Sequence, residues 1–517
     1  MHTIIHGDCL EELKKLDDSS VDAVICDPPY GLSNTKPAQV ADVLAAWVTG
    51  ETEAVPAKRG GFMGKDWDSF VPPPAVWAEC MRVLKPGGHM AVFAGARTQD
   101  LMGLSIRLAG FEIRDTLGWI YGSGFPKSHD ISKAIDKRRD DYPAIREVVM
   151  FIREAVAAST VDRSRLDEAL GGPAVMAHFL APSRSNAGCP KWDQWQTLKS
   201  ILNFGDEMDA EVWRLNGRKG TPGEAWGKRE VTGVYEQPNG VNEWAGNYMG
   251  TKKAGIKERR DIPATSEAQR WDGWGTALKP AIEPIILARK PLDGTVANNV
   301  LAHGVGGLNI DECRVGTTGG GNSCKGGDNC HCFEKNEIYG ATKHPVQSDE
   351  PKGRFPANVL LDEHAAAEMD KQSGNAGGGF GVRGKGGSTY ANGQGFANTL
   401  AETGQTVGYG DSGGASRFFP VFKYQAKAPK KERPVIVRED GSKIQHPTVK
   451  PLALMEWLVT LITPEGGTVL DPFAGTGTTL QAATNKGFNP IGIEADADYI
   501  QLIHQRMEGG EQSTRSS

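Results

Sequence analysis

Short apolar segments that alternate between strand and helix periodicity occupy both ends of this 517-residue chain, and its middle lacks them almost entirely. Alternation of that kind builds a parallel sheet covered by helices on both faces. The two ends are therefore expected to share one sheet, with a long region inserted between them. At the N-terminal end, Thr3 to His6 reads as a strand, Leu10 to Leu16 as a helix and Val21 to Cys26 as an apolar strand halted at Asp27. Ala75 to Leu84 reads as a helix closed by the stop signal Lys85-Pro86-Gly87-Gly88. Met90 to Ala94 is then a strand, Leu101 to Leu108 a helix and Phe111 to Ile120 a strand. One apolar strand returns at Pro284 to Ala288. Past Gln445 the order is helix Leu452 to Ile462, strand Thr468 to Leu470, helix Thr478 to Lys486, strand Asn489 to Ile493 and helix Ala497 to Met507. From Glu508 the chain reads as a frayed, disordered tail.

The middle differs in kind. Ser128 to Leu180 is charged and helix-periodic, Leu215 to Arg270 is polar and rich in Gly, Asn and Trp, and residues 316–330 and 373–416 are Gly/Asn/Ser-rich loops. These blocks account for much of the high glycine count of 65. The expected division is 1–126, 127–270 as a first insertion, 271–292 as a returning core strand, 293–439 as a second insertion, 440–507, and the tail 508–517. A net charge of -6 argues against a whole-surface polyanion binder and leaves room for a local basic groove. With no basic-then-apolar leader and no run of 18 apolar residues, the chain reads as cytoplasmic, without a membrane span. Cys9, Cys26 and Cys80 lie in or beside apolar segments and read as reduced, buried thiols.

Two motifs carry chemistry. Asp27-Pro28-Pro29-Tyr30 directly follows the strand Val21 to Cys26, at the strand end that faces the ligand crevice of an open α/β sheet. Its prolines remove two amide donors, leaving carbonyl oxygens and a carboxylate that suit an amino group donating two hydrogen bonds. Tyr30 adds a flat face for a planar ring. The plainer alternative is a strand-ending turn with a surface tyrosine. The second motif is Asp471-Pro472-Phe473-Ala474-Gly475-Thr476-Gly477-Thr478, a strand running through a glycine turn into a helix N-terminus. No Gly-Lys-Thr/Ser follows, and Leu480 breaks Gly-x-Gly-x-x-Gly, so phosphate-loop and dinucleotide fingerprints fail. Glu494 ends the next strand, where an acid can accept both hydroxyls of a ribose. Nucleoside binding without phosphate recognition remains.

Asp-Pro-Pro-Tyr together with Phe-x-Gly-x-Gly resembles the amino-group DNA methyltransferases that use S-adenosylmethionine, the N6-adenine/N4-cytosine family. The catalytic motif comes first and the cofactor motif last, an order similar to the permuted, beta-type group. Ribosomal RNA methyltransferases that share the tetrapeptide place the cofactor loop first. Gly7-Asp8-Cys9 resembles the group's short acidic cofactor segment, and His446-Pro447-Thr448-Val449-Lys450-Pro451 the segment before its cofactor loop. Lys279-Pro280 to Lys290 is similar to a late strand of the catalytic sheet. The resemblance is specific over roughly 1–126, 271–292 and 440–507.

The resemblance implies a doubly wound, mostly parallel sheet, a Rossmann-like methyltransferase core with an inserted target-recognition region. It implies that Asp27 and the Pro28 carbonyl accept hydrogen bonds from the target amine, with Pro29 fixing the corner and Tyr30 stacking on a flipped base. Residues Asp471 to Thr478 would line S-adenosylmethionine, with Glu494 on its ribose, Asp8 on its adenine, and Thr448 and Lys450 near its methionine end. For Lys450 the alternative is a solvated lysine at a helix start. Members with Asp at the first motif position mostly act on adenine N6 in DNA, and cytosine-N4 enzymes more often carry Ser. A non-catalytic DNA-binding relative is the third reading, against which intact Asp27, Tyr30 and Gly475 speak. A homodimer, a restriction-nuclease partner and a stand-alone enzyme all stay open.

Within the inserted blocks, Lys252, Lys253, Lys257, Arg259 and Arg260 against Glu258, and Lys423, Lys427, Lys430, Lys431 and Arg433 against Glu432, form two clusters of local charge +4 suited to DNA phosphates. Trp192, Trp195, Trp213, Trp226, Trp244, Trp271 and Trp274 are expected mostly in small cores, with some available to stack on bases. Cys313, Cys324, Cys330, His331 and Cys332 suffice in number for a structural zinc, but lack a Cys-x2-Cys knuckle, so free thiols are the favoured reading and no metal is assigned.

Overall fold

The computed structural model describes residues 2–33, 35–56, 68–122, 128–139, 141–172, 175–180, 188–217, 221–236, 257–316, 353–377, 381–382, 406–407, 412–422, 434–438, 440–446 and 448–514. The chain divides into two compact units, one of residues 1–124 with 280–517 and one of residues 125–279.

The first unit is built on a nine-stranded sheet. Its strands are β1 (Thr3–His6), β2 (Val21–Cys26), β3 (Leu84–Phe93), β4 (Glu112–Ile120), β5 (Ile282–Arg289), β6 (Val359–Asp362), β7 (Val421–Phe422), β8 (Thr468–Asp471) and β9 (Asn489–Glu494). They lie in the order β1-β9-β8-β2-β3-β5-β4-β6-β7. Only β5 runs against its neighbours; every other pairing is parallel. The fold class is therefore α/β, a doubly wound and mostly parallel sheet. β2 pairs with β8 through Val469 opposite Ala23 and Leu470 opposite Val24, so strands from opposite ends of the chain lie side by side.

Period-two patterning puts the two faces of the sheet into two cores. Val24, Cys26, Met90, Val92 and Leu470 point to one, which is covered by α1 (Cys9–Leu13), α2 (Pro37–Val48), α3 (Pro74–Val83) and α4 (Gln99–Leu108). Ala23, Ile25, Ala91, Phe93 and Val469 point to the other, covered by α5 (Leu452–Ile462) and α6 (Thr478–Asn485). A terminal helix, α7 (Ala497–Thr514), packs Ile503 and Met507 against Ile4 and Leu480. Cys26 and Cys80 are buried and Cys9 half-buried; burial pushes all three thiols up, that of Cys9 to about 12.

Several elements differ from the sequence expectation. β3 begins at Leu84, so Lys85-Pro86-Gly87-Gly88 ends α3 and also starts the strand, with Gly87 in the left-handed region at φ 77°. The block 293–439, expected as an insertion, contributes β6 and β7 to the sheet edge beside β4. The last helix continues past Glu508 to Thr514, where a disordered tail was expected. Among the described residues no helix is long and apolar enough to cross a membrane.

The second unit has its own helical core, in which Val148, Ile152, Leu166, Met176, Trp195, Leu198 and Val212 are buried. Trp195 belongs to that core, whereas Trp213 and Trp274 are exposed. Strands 230–236 and 257–262 pair as an antiparallel ribbon, which places the backbone of Lys257, Arg259 and Arg260 on a strand. Lys252, Lys253 and Trp244, the cluster Lys423 to Arg433, and Cys324, Cys330, His331 and Cys332 lie outside the described residues. Cys313 is buried, with Sγ 3.8 Å from the Trp457 carbonyl oxygen.

Candidate active site

The site lies where β2 and β8 end together. Beyond β2, the corner Asp27-Pro28-Pro29-Tyr30 is held from behind by groups the sequence motifs did not include. Asp68 is buried and accepts the Gly31 N–H at 2.9 Å, and it also receives the amides of Tyr30 and Leu32. Burial raises the Asp68 carboxyl pKa while those amides lower it, with a net rise. Thr98 donates its hydroxyl to the Tyr30 carbonyl at 2.6 Å. Gly31, at φ 67°, has no room for a Cβ, which would meet the Val71 nitrogen at 2.8 Å.

The corner is not acceptor-only. The Lys450 ammonium, from the segment just before α5, lies 2.8 Å from Tyr30 Oη, 3.2 Å from Asp27 Oδ1 and 3.1 Å from Glu283 Oε1. Tyr30 Oη is itself 2.8 Å from Asp27 Oδ1 and 3.0 Å from Glu283 Oε1. The ammonium also sits 4.6 Å from the centre of the Phe93 ring. Burial works against the charge on Lys450, but Asp27 and Glu283 outweigh it and hold the ammonium above its ordinary range. Burial, then the same two carboxylates, keeps Tyr30 protonated. Lys450 is thus a partner of Asp27 rather than a solvated helix-start lysine. Glu283, from β5, carried no sequence signal beyond its place in an apolar strand.

Beside this node, Asp471 ends β8. It is buried and accepts the Phe473 N–H at 3.0 Å; burial is the main cause that pushes its pKa up to about 7, with hydrogen bonds from Thr479 and Phe473 opposing and Asp27 adding to the rise. Gly475 and Gly477 take φ 54° and 73°, which turns the chain tightly enough for α6 to start at Thr478. Ala474 N–H donates to the Ile493 carbonyl at 2.9 Å and Gly475 N–H to Glu494 Oε2 at 2.8 Å, so the glycine turn is clamped to the end of β9. Glu494 Oε1 accepts the Asp496 N–H at 2.9 Å, and burial raises the Glu494 carboxyl pKa. Phe473 packs its ring 6.1 Å from that of Trp77, and the Gly7 N–H donates to the Glu494 carbonyl at 3.0 Å.

The structure thus brings Asp27, Tyr30 and Lys450 together, and separately Gly475, Glu494 and the start of α1, where exposed Asp8 caps the helix by accepting the Leu10 and Glu11 amides. Thr448 is exposed and tied to His446, away from the Lys450 contacts. Thr476 and Thr478 are buried, and Arg506 holds the Thr476 carbonyl at 2.7 Å from inside the fold.

Residues 325–505 match the family model described as DNA methylase. That matched segment contains Lys450, the glycine turn and Glu494, and Asp27 lies before it. Among similar proteins, this chain is 42% identical to the type II methyltransferase M2.DpnII of Streptococcus pneumoniae over 64 residues, 12% of this chain and 24% of that protein. It is 35% identical to the DNA adenine methyltransferase YhdJ of Escherichia coli (strain K12) over 121 residues, 23% of this chain and 34% of the relative. The matches thus span about a quarter to a third of these relatives. A solved PvuII DNA methyltransferase, cytosine-N4-specific, aligns over 98% of this chain and 87% of its own at 12% identity with a TM-score of 0.33, too loose a likeness to carry an argument.

Proposed function

We propose that this chain transfers a methyl group from S-adenosylmethionine to the N6 amino group of adenine in DNA, as a permuted, beta-type enzyme whose residues 127–270 and those of 293–439 outside β6 and β7 serve target recognition. The observation that carries this reading is the parallel pairing of β2 with β8, which sets the Asp27 corner beside the Gly475 turn. The cofactor-side residues fit a nucleoside. Both Glu494 oxygens already accept one backbone N–H, and a carboxylate keeps further lone pairs for two ribose hydroxyls. Two left-handed glycines allow close approach at the turn. When bound, S-adenosylmethionine supplies an electrophilic methyl on a sulfonium sulfur.

The chain's own residues do the rest by position. Asp27 and the Pro28 carbonyl accept the two N–H groups of the target amine, which localises the nitrogen lone pair otherwise shared with the ring. Pro29 fixes the corner and Tyr30 offers its ring to a base taken out of the stack. Glu494 and Asp8 would hold the nucleoside, and Asp471 to Thr478 the loop around it. Adenine is favoured over cytosine by Asp27 at the head of the motif and by the adenine enzyme among the similar proteins. The test is to incubate DNA with the protein and isotopically labelled S-adenosylmethionine, digest to nucleosides and weigh them. Labelled N6-methyladenine is expected; labelled N4-methylcytosine would replace the base assignment, and no label would remove the activity.

A further inference from the structure

The Lys450 node contains one more carboxylate than the proposed reaction uses. An ammonium has three N–H donors, and Lys450 finds three acceptors, Tyr30 Oη, Asp27 Oδ1 and Glu283 Oε1, at 2.8, 3.2 and 3.1 Å. Tyr30 has a single hydroxyl proton and two carboxylate oxygens within reach, Asp27 Oδ1 at 2.8 Å and Glu283 Oε1 at 3.0 Å. Glu283 therefore duplicates Asp27: each offers one oxygen to the same hydroxyl and the same ammonium. Both donors meet Asp27 on Oδ1. An amine entering the corner competes for that carboxylate, and a half-buried donor left without an acceptor is costly.

We propose that Glu283 is a positioning residue for methyl transfer, the alternative acceptor that takes over the Tyr30 hydroxyl and the Lys450 ammonium when the target amine claims Asp27. This inference rests on the reading of Asp27 as the amine's acceptor. It assigns a role to β5, the one strand that runs against the sheet. Antiparallel pairing with β3 and β4 brings the start of β5, rather than its end, to the edge where β2 and β8 stop, and Glu283 is the second residue of that strand. The titratable groups facing Lys450 are Asp27 and Tyr30 after β2, Glu283 on β5 and Tyr121 after β4. With Glu283 neutralised, Lys450 retains Asp27 as its only carboxylate among the described residues, binds it harder and gives up its proton at lower pH.

The experiment compares wild type, Asp27→Asn and Glu283→Gln in the full chain, with single-turnover methyl transfer to DNA across pH and cofactor binding by calorimetry. Glu283→Gln is expected to slow transfer on the order of 10- to 100-fold, as misplacement of a reacting group does. Its cofactor Kd should stay within about twofold of wild type, and the alkaline limb of its rate profile should move to lower pH. Transfer within about twofold of wild type, an unmoved alkaline limb, or a lost cofactor affinity in Glu283→Gln would each overturn the role of Glu283. An inactive wild type or a fully active Asp27→Asn would instead overturn the underlying reading of Asp27.

Discussion

Arg229 in the second unit and Lys450 in the first each lie between two carboxylates, and the two enclosures are built to opposite ends. In the second unit, Arg229 is 1% exposed and its partners Asp136 and Asp261 are 0% exposed. The guanidinium reaches Asp136 Oδ2 at 2.5 Å and Asp261 Oδ1 at 2.9 Å, and Asp136 also accepts from the Ala264 amide and the Thr265 hydroxyl. A planar fork with fixed donors, met on all sides, locks the ribbon 230–236/257–262 to the helix Ile131–Lys137. In the first unit, Lys450, Asp27 and Glu283 keep 11%, 24% and 22% of their side-chain surface exposed. A flexible ammonium, an aromatic hydroxyl and two equivalent oxygens can exchange partners there. Full burial with rigid geometry is a staple; partial burial with redundant acceptors is a site.

Breaking the staple should have the largest effect. Arg229→Met leaves two buried carboxylates without their cation and should cost about 3–5 kcal/mol. Denaturant unfolding measures the loss, and hydrogen exchange should show it concentrated around 130–136 and 257–265. A loss below about 1 kcal/mol would make the two enclosures alike.

On the site side, if Glu494 accepts the ribose hydroxyls as proposed, Glu494→Gln should reduce cofactor affinity by about 1.5 kcal/mol, on the order of tenfold. Calorimetry reads this directly, and transfer at saturating cofactor should stay near wild type. A fall in saturated transfer with unchanged affinity would move Glu494 from binding to chemistry.

The smallest expected effect concerns Asp471, whose pKa burial pushes up from an ordinary 3.8 to about 7. The folded state then holds a proton that the unfolded state has released, so stability falls as pH rises from about 4 through about 7 and levels off above. Asp471→Asn should flatten that slope. Because hydrogen bonds from Thr479 and Phe473 partly offset the burial penalty, the gain at pH 8 should be on the order of 1 kcal/mol, vanishing toward pH 4. Thermal unfolding at several pH values checks the sign.

Much of this arrangement was legible before any coordinates. Val21 to Cys26 and Thr468 to Leu470 are short apolar runs stopped by Asp, and buried parallel strands have that form. The glycine turn is visible because positive φ requires the residue type. Other parts carried no local signal. Val359–Asp362 and Val421–Phe422 join the sheet with four and two residues, too few for a period to register. The helix Pro37–Val48 lies outside the sequence expectation although Val43 and Trp47 are four residues apart on its buried face. Lys450 stands out in its motif but its pairing with Asp27, 423 residues away, does not, and Glu283, which shares Lys450 and Tyr30 with Asp27 from 256 residues away, is revealed only by the sheet order. Asp68 cups three successive amides from 37 residues beyond the Gly31 amide it accepts, a contact no motif spacing encodes.

Under the proposed function, the two ends of the chain make one site with separable halves, an amine acceptor at Asp27 and a nucleoside holder at Gly475 and Glu494. The most direct test is Asp27→Ala, with labelled-methyl transfer to DNA and calorimetric S-adenosylmethionine binding measured on the same preparation. Transfer should fall by about a thousandfold or more, with cofactor affinity within about twofold of wild type. Retained transfer, or cofactor affinity lost together with transfer, would contradict it.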